Sequence, residues 1–307
     1  MNEQIAKLLE NIEKIIIGKT DVILKIISAL LCGGHVLVED VPGVGKTQLV
    51  VALARSVGGK FNRLQLTPDV MPSDIIGFSM PNPVTKEFEY RPGAAMCNFL
   101  LADEINRASP KVQSSLLEVM EERQISVDAQ TYALPRPFMA LATQNPVEAY
   151  GTYHLPEAQI DRFLIRVSLG YLTPQTETLL LDRDEPEKRL EELPAVLSLQ
   201  DILGLQEAVK AVKTHDMVKQ YIISIVAATR ASEDIKLGVS PRGSIGLHNM
   251  AKAAAFIKGR TFVTPDDVIG CAVPVLAHRL MLSQRGKGVH KTQQAAAGHI
   301  LSQIAVP

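Results

Sequence analysis

Residues 40–47 read Asp40, Val41, Pro42, Gly43, Val44, Gly45, Lys46 and Thr47; the apolar run HVLVE precedes them and an apolar-periodic stretch, 48–57, follows. A strand, a glycine-rich turn and a helix in that order form a cradle for phosphate. Gly43 and Gly45 allow successive backbone N–H groups to turn inward, and the helix N-terminus adds the positive end of its dipole. On that geometry Lys46 reaches the β- and γ-phosphates of a nucleoside triphosphate and the Thr47 hydroxyl ligates Mg²⁺, with Pro42, Val44 and Gln48 completing the cradle. The usual pattern opens on Gly where this chain has Asp40. That position ends the strand, so its side chain can point away from the triphosphate and is expected to be tolerated. Taken alone, the motif can also be read as a glycine-rich turn ahead of an ordinary helix.

The second cluster is Asp103-Glu104, closing the apolar run FLLA. Adjacent side chains diverge at a strand end and can take separate roles. Asp103 is expected to hold Mg²⁺ through water, and Glu104 to orient and deprotonate the attacking water. An isolated acidic pair of this kind is an ordinary solvated strand end; downstream of a phosphate cradle it acquires the second meaning.

These residues need a scaffold, and the rest of the chain supplies one. Up to about residue 172 helical patterns alternate with buried-type strands at 35–39, 62–66, 98–102, 138–143 and 164–168, the pattern of an α/β domain with a parallel sheet. Beyond Thr173 strand signals almost vanish. Thr173-Pro174, Ser198, Ser240-Pro241 and Thr264-Pro265 read as helix starts, and the polar stretch 183–192 reads as a linker. The expected division is a nucleotide-binding domain over 1–172, a linker region over 173–198 and a helical domain over 199–307. Within the first, 67–96 is too long for a simple connection and contains PNPVTKEFEYRPG, a hairpin-like insertion; 124–134 is a second hairpin candidate, turning at Asp128, Ala129 and Gln130.

Composition narrows the function. The chain has 307 residues, 46% of them apolar and 21% charged, enough to bury a full core. Lys and Arg total 32 against 33 acidic residues, which argues against a broadly basic nucleic-acid binder. Aromatics make up only 5% and Trp is absent, giving base stacking little surface. Cys32, Cys97 and Cys271 have no metal-ligand spacing and fit a reduced, cytoplasmic compartment. The N-terminal MNEQIAKLLENIEK is amphipathic and does not read as a signal peptide, and no apolar run approaches the ~20 residues of a membrane-spanning helix.

The loop at 40–47 resembles that of AAA+ ATPases, and LLADEINRASPKVQSSLLEVMEERQ, ATQNP, LPEAQIDRFL and SPRGS resemble the MoxR branch of that superfamily over nearly the whole chain. The resemblance implies a P-loop NTPase core, a parallel sheet sandwiched by helices, followed by an all-α C-terminal lid. It implies that Asn145 is sensor 1, holding the attacking water, although Asn145-Pro146 is equally a turn signal. Arg162 matches an arginine finger supplied in trans; an ion pair with Asp161 or Glu157 is the alternative, and Arg166 and Arg107 compete for the role. Arg242 matches sensor 2, reaching from the lid onto the nucleotide bound between the two domains of one subunit. An independent argument favours an anion there: with Ser240 as cap and Pro241 first, Arg242 lies in the first helical turn, where the dipole disfavours a cation. Gly243 replaces the Ala often found next in the family and puts the rigidity of that helix in question. Ile16, Ile17 and Gly18 match the backbone stretch against which related ATPases pack adenine, although apolar core filling also explains the isoleucines.

At the level of the assembly, the resemblance implies ATP/ADP and Mg²⁺ as ligands, a homo-oligomeric ring of the hexameric kind, and insertions facing its central pore; read from the residues alone, the insertions could equally be passive surface decoration. It further implies protein clients, a chaperone-like role in maturing or activating them, and a separate partner with a von Willebrand factor A-type domain. The rival of another class is a nucleotide-dependent scaffold with negligible hydrolysis, kept open by Asp40 and by the role of Arg162.

Overall fold

The computed structural model describes residues 1–145, 152–181 and 186–307. The chain opens with helices α1 (Glu3–Glu13) and α2 (Thr20–Leu31), followed by β1 (Val36–Glu39), α3 (Lys46–Ser56) and β2 (Phe61–Gln65). A short α4 (Pro72–Ile76) leads to the hairpin β3 (Phe78–Pro81) and β4 (Phe88–Arg91), then β5 (Phe99–Asp103) and α5 (Pro110–Glu122). A second hairpin, β6 (Gln124–Val127) and β7 (Gln130–Ala133), precedes β8 (Met139–Gln144), α6 (Glu157–Ile160) and β9 (Ile165–Val167). Each of the five expected sheet strands lies within one residue of its expected start.

The five strands form one sheet in the order β2-β5-β8-β1-β9, every neighbouring pair parallel. Alternation along each strand divides their side chains between two cores. Val36, Val38, Phe99, Leu101, Met139 and Leu141 join the apolar faces of α1, α2 and α3. Leu37, Leu100, Ala102, Ala140 and Ala142 join Val112, Leu116 and Met120 of α5 on the other face. Helices on both faces explain why these strands read as continuous apolar runs.

Because all five strands point the same way, the sheet has two chemically distinct edges. The C-terminal edge carries Asp40, Asp103 and Asn145; the N-terminal edge carries His35, Asn98 and Leu164.

The remaining chain folds as α7 (Pro174–Leu181), α8 (Pro186–Glu191), α9 (Leu199–Lys210), α10 (Asp216–Ala231), α11 (Pro241–Ile257), α12 (Pro265–Leu276), α13 (Gln284–His290) and α14 (Gln293–Gln303). Ser198 caps α9 by accepting the Asp201 N–H at 3.1 Å, and Ser240 caps α11 by accepting the Gly243 N–H at 3.4 Å. Asp267 accepts from both the N–H and the hydroxyl of Thr264 at the start of α12. The described part of the polar stretch 183–192 is the helix α8; Arg183 lies outside the described residues. One short antiparallel pair, β10 (Ile235–Leu237) and β11 (Met281–Leu282), interrupts the helical region.

Both insertions are hairpins. In the second, Asp128 and Ala129 adopt φ of +49° and +62° between Val127 and Gln130, the two left-handed positions of a tight two-residue turn. Tyr90 of the first stacks on Tyr132 of the second, ring centroids 4.0 Å apart and planes within 14°.

Candidate nucleotide site

At the C-terminal edge, β1 ends in Glu39 and the loop turns through Gly43 (φ +84°) and Gly45 (φ +88°) into α3. Both values lie in the left-handed region that glycine enters without strain, and a side chain at Gly43 would meet nothing within 4 Å, so the space above the loop is open. The Lys46 ammonium donates to the Asp40 carbonyl at 3.2 Å, across the mouth of the loop.

Asp40 itself faces away from that mouth. Its carboxylate accepts the Leu169 N–H at 2.5 Å, the Gly170 N–H at 2.8 Å and the Ser168 hydroxyl at 3.2 Å, just beyond β9, as well as the Val41 N–H at 3.0 Å. The residue that departs from the usual pattern thus pins the start of the loop to the neighbouring strand.

Beside the loop, Asp103 and Glu104 diverge sharply, Glu104 taking φ +60°. Thr143 of β8 organises both: its hydroxyl donates to Asp103 at 2.6 Å and accepts the Glu104 N–H at 2.8 Å. The other Asp103 oxygen accepts from Arg63 at 2.6 Å. Glu104 accepts from Gln65 at 2.9 Å and from Arg107 at 3.2 Å. Asn145 is buried one residue beyond β8.

A cavity of about 260 Å³ adjoins the loop, lined by Ile15, Ile16, Ile17, Gly43, Val44 and Tyr171 among others. Its isoleucine wall is the stretch expected to contact adenine. Gly18 (φ +68°) lets α7 approach closely: a Cβ there would come within 3.0 Å of Thr176.

The donors present suit Mg²⁺. The Thr47 hydroxyl and the Asp103 carboxylate are hard oxygen ligands, and a carboxylate accepting two hydrogen bonds retains lone pairs. Among the described residues there is no group of three or more His, Cys, Asp or Glu that could hold a metal.

The two arginines expected to act as finger and as sensor 2 lie elsewhere. Arg162 precedes β9, at the N-terminal edge, where the Leu164 N–H donates to the His35 carbonyl at 2.8 Å. Arg242, in the first turn of α11, lies beside it: Glu121 at the end of α5 accepts from Arg242 at 2.6 Å and pairs with Arg162 at 3.5 Å. Asp161 ties the two segments from beneath, accepting from the Ser240 hydroxyl at 2.8 Å and from Arg279 at 2.7 Å. Arg279 is buried and also donates to the carbonyls of Asp161, Phe163 and Leu164.

This corrects one expectation. Arg242 does not reach the loop of its own subunit, because α11 packs against α2 and α12 and is fastened to Asp161 at the far edge of the sheet. The first-turn arginine does have an anionic partner, the carboxylate of Glu121. Gly243 has a packing reason: a Cβ there would lie 2.3 Å from Val239 and 2.9 Å from Arg279. Arg162 pairs with neither Asp161 nor Glu157, while its competitors are engaged locally, Arg166 with Glu39 at 3.1 Å and Arg107 with Glu104. Sequence reasoning assigned no role to Gln65, Thr143 or Glu121, and Asp161 entered it only as an alternative partner for Arg162; the last three lie inside the family-like motifs, but nothing local shows what they touch.

Comparison with known proteins matches these two regions separately. The model described as "ATPase family associated with various cellular activities (AAA)" matches residues 35–165, and that of an AAA lid domain matches residues 227–297. The chain is 41% identical to Chaperone MoxR1 of Mycobacterium tuberculosis, covering 96% of this chain and 80% of that protein. It is 48% identical to the uncharacterised protein YeaC of Bacillus subtilis, covering 99% and 95% respectively. A crystal structure of a candidate ATPase from Cytophaga hutchinsonii superposes with a TM-score of 0.92 at 36% identity, over 99% of this chain and 95% of that one. With an AAA core, an AAA lid and relatives named MoxR along nearly its full length, the chain belongs to the MoxR family of AAA+ ATPases.

Proposed function

We propose that the chain is a Mg²⁺-dependent ATPase, converting ATP and water to ADP and phosphate, that works in the cytoplasm as a homo-oligomeric ring of the hexameric kind. Its output is chaperone-like remodelling, maturation or activation of protein partners, one of them a separate protein with a von Willebrand factor A-type domain.

The observation that carries this reading is the separation of the site's two halves. A phosphate loop and an acidic pair occupy one edge of the parallel sheet, and a pair of arginines occupies the other. Within one chain they cannot meet; between two chains stacked head to tail they can. Such a heterologous contact closes into a ring when its rotation permits.

In the proposed reaction, backbone N–H groups of residues 43–47 hold the phosphates and Lys46 leaves the Asp40 carbonyl for the β- and γ-phosphates. Ile16, Ile17 and Gly18 flank the base. Thr47 and Asp103 would hold Mg²⁺, which would supply charge neutralisation for the phosphates. Asn145 fixes the attacking water and Glu104 accepts its proton, once Gln65 and Arg107 yield the carboxylate. Arg162 and Arg242 of the adjacent subunit stabilise the charge that develops on the γ-phosphoryl group.

Work on a client is supported by the hairpin β3–β4, which exposes Phe78, Met80, Val84 and Phe88 to solvent, and by the chaperone name of a relative. Among the described residues no helix is long and apolar enough to cross a membrane.

Steady-state turnover tests the scheme. Lys46→Ala should abolish ATP binding, whereas Glu104→Gln should bind ATP and lose at least about a hundredfold in kcat. Specific activity should rise with protein concentration, and mixing Lys46→Ala with Arg162→Ala chains should restore part of the turnover. Hydrolysis that is unaffected by Glu104→Gln removes the proposed base; negligible turnover of the intact chain under all conditions favours a nucleotide-dependent scaffold.

A further inference from the structure

We propose that Glu121 is a positioning residue for hydrolysis in the adjacent subunit, gathering Arg162 and Arg242 into one cationic pair that meets the neighbour's triphosphate as a unit. The proposal rests on the trans reading of those two arginines.

The geometry is that of a bracket. Glu121 lies in the last turn of α5, Arg162 in the turn before β9 and Arg242 in the first turn of α11, so a single carboxylate joins three segments remote in sequence. Each oxygen takes one arginine: Oε1 accepts from Arg242 Nη2 at 2.6 Å, and Oε2 faces Arg162 Nε at 3.5 Å. Binding through Nε leaves both terminal nitrogens of Arg162 without a protein partner among the described residues, and Arg242 uses only one of its nitrogens. The donors best suited to a phosphate therefore remain available while the guanidinium groups are held.

Charge explains why a bracket is needed. Two guanidinium groups brought to one place repel, and Arg242 additionally sits at a helix N-terminus, where the dipole opposes a cation. Arg279 and Arg123 line the same recess. Asp161 neutralises Arg279 and ties the two backbones through Ser240, but among the described residues it bonds to neither the Arg162 nor the Arg242 head group. Glu121 alone of the recess's two carboxylates touches both. Its side chain is 35% exposed, and an ion pair that open to water contributes little to folding. Its contribution lies in orientation, where a displacement of about 1 Å can lower a rate a hundredfold.

Mixed assemblies provide the test. Arg162→Ala chains contribute intact loops, Lys46→Ala chains contribute intact arginines, and their mixture is the reference. Glu121→Gln added to the Lys46→Ala chain should lower recovered kcat about tenfold with KM for ATP unchanged. Added instead to the Arg162→Ala chain, it should leave the recovered rate at the reference value. Glu121→Asp in the Lys46→Ala chain, keeping the charge on a shorter stem, should give an intermediate rate. Size-exclusion chromatography checks that all mixtures assemble alike. If the reference recovers but Glu121→Gln acts equally in either chain, or in neither, the proposal falls while the trans reading stands. If the reference itself does not recover, both fall.

Discussion

The two edges of the central sheet are built on different logics. At the C-terminal edge the candidate residues are contiguous in sequence: 40–47 form the glycine-containing loop and 103–104 the acidic pair, each placed by the strand that leads into it. At the N-terminal edge nothing is contiguous. Arg162, Arg242, Glu121, Asp161 and Arg279 come from separate segments and meet only because the helical region packs against α2 and β9. The first edge is a local motif on a strand; the second is a product of tertiary docking, and it faces away from the cradle it would serve. On the proposed function, a site divided this way would make hydrolysis depend on assembly.

The largest expected effect separates the edges by observable. Arg162→Ala or Arg242→Ala should leave ATP affinity of the dilute chain within about twofold while lowering kcat of the assembled protein by about a thousandfold, the scale of a lost arginine finger. Equilibrium binding of a fluorescent ATP analogue beside a turnover assay decides it. Weakened binding in the dilute chain on removing Arg242 would mean that the lid arginine does reach its own loop, and the division between edges would collapse.

Asp40 sharpens the contrast from the other side. Restoring the usual residue, Asp40→Gly, would be expected from sequence alone to improve phosphate binding. The structure leads to the opposite outcome: the carboxylate satisfies the N–H groups of Leu169 and Gly170 and the hydroxyl of Ser168, and its removal leaves the buried Leu169 N–H and the half-buried Gly170 N–H without that acceptor. A loss of about 2–3 kcal/mol in urea unfolding is expected, with no gain in ATP affinity. Tighter binding at unchanged stability would show that Asp40 faces the nucleotide after all.

Legibility follows the same division. Strand positions were readable because apolar runs bounded by turn residues report burial on both faces, and the cradle was readable because its glycines, Lys46 and Thr47 are contiguous. The partner of Asp40 was not, being more than a hundred residues away in sequence. That Arg162 would pair with Glu121, or that Arg242 would join it, depends on where α11 docks, and helical periodicity says which face of a helix is buried without saying against what. Gly243 shows the limit from another direction: sequence reads it as a weakness in the helix, and only packing against Val239 and Arg279 gives it a reason.

Acid should loosen the arginine edge first. His35 opens β1 with its Nδ1 accepting the Ala140 N–H at 3.0 Å and its Nε2 bonded to the Met120 carbonyl at 2.9 Å, next to Glu121. That pattern requires the neutral ring, because a proton on Nδ1 would face another donor. Burial accordingly pushes its pKa down from 6.5 to about 4, and burial lowers His278 in the same direction. A depressed histidine lets the unfolded chain bind the extra proton, so this stability is complete above pH 6.5 and declines as pH falls towards 4. His35 alone should remove about 2 kcal/mol between pH 7 and pH 5. Asp267, held at about 2 by Arg260 and the start of α12 against the opposing effect of burial, weakens only below about pH 4 and leaves this window to the histidines. Urea titrations at pH 7 and 5 measure the difference; equal midpoints and slopes would exclude a neutral buried His35.

The smallest expected effect concerns how the edges are connected. The chain leaves the C-terminal edge after Gln65, forms α4 and the hairpin β3–β4, and returns to the N-terminal edge at Asn98; the hairpin β6–β7 begins and ends at the N-terminal edge, where the Leu134 N–H donates to the Arg123 carbonyl. The stack of Tyr90 on Tyr132 joins these excursions, one beginning beside the residue that holds Glu104, the other beginning directly after Glu121. A double-mutant cycle of Tyr90→Ala and Tyr132→Ala should give a coupling of about 1 kcal/mol in unfolding free energy, within the range of aromatic pairs. If the hairpins transmit nucleotide state between edges, the same cycle on kcat should show non-additivity, because each single variant already uncouples the pair. Additive effects on kcat alongside a measurable coupling in stability would make the stack a structural joint alone, and leave α5, which runs from just beyond Glu104 to Glu121, as the connection between the two halves of the site.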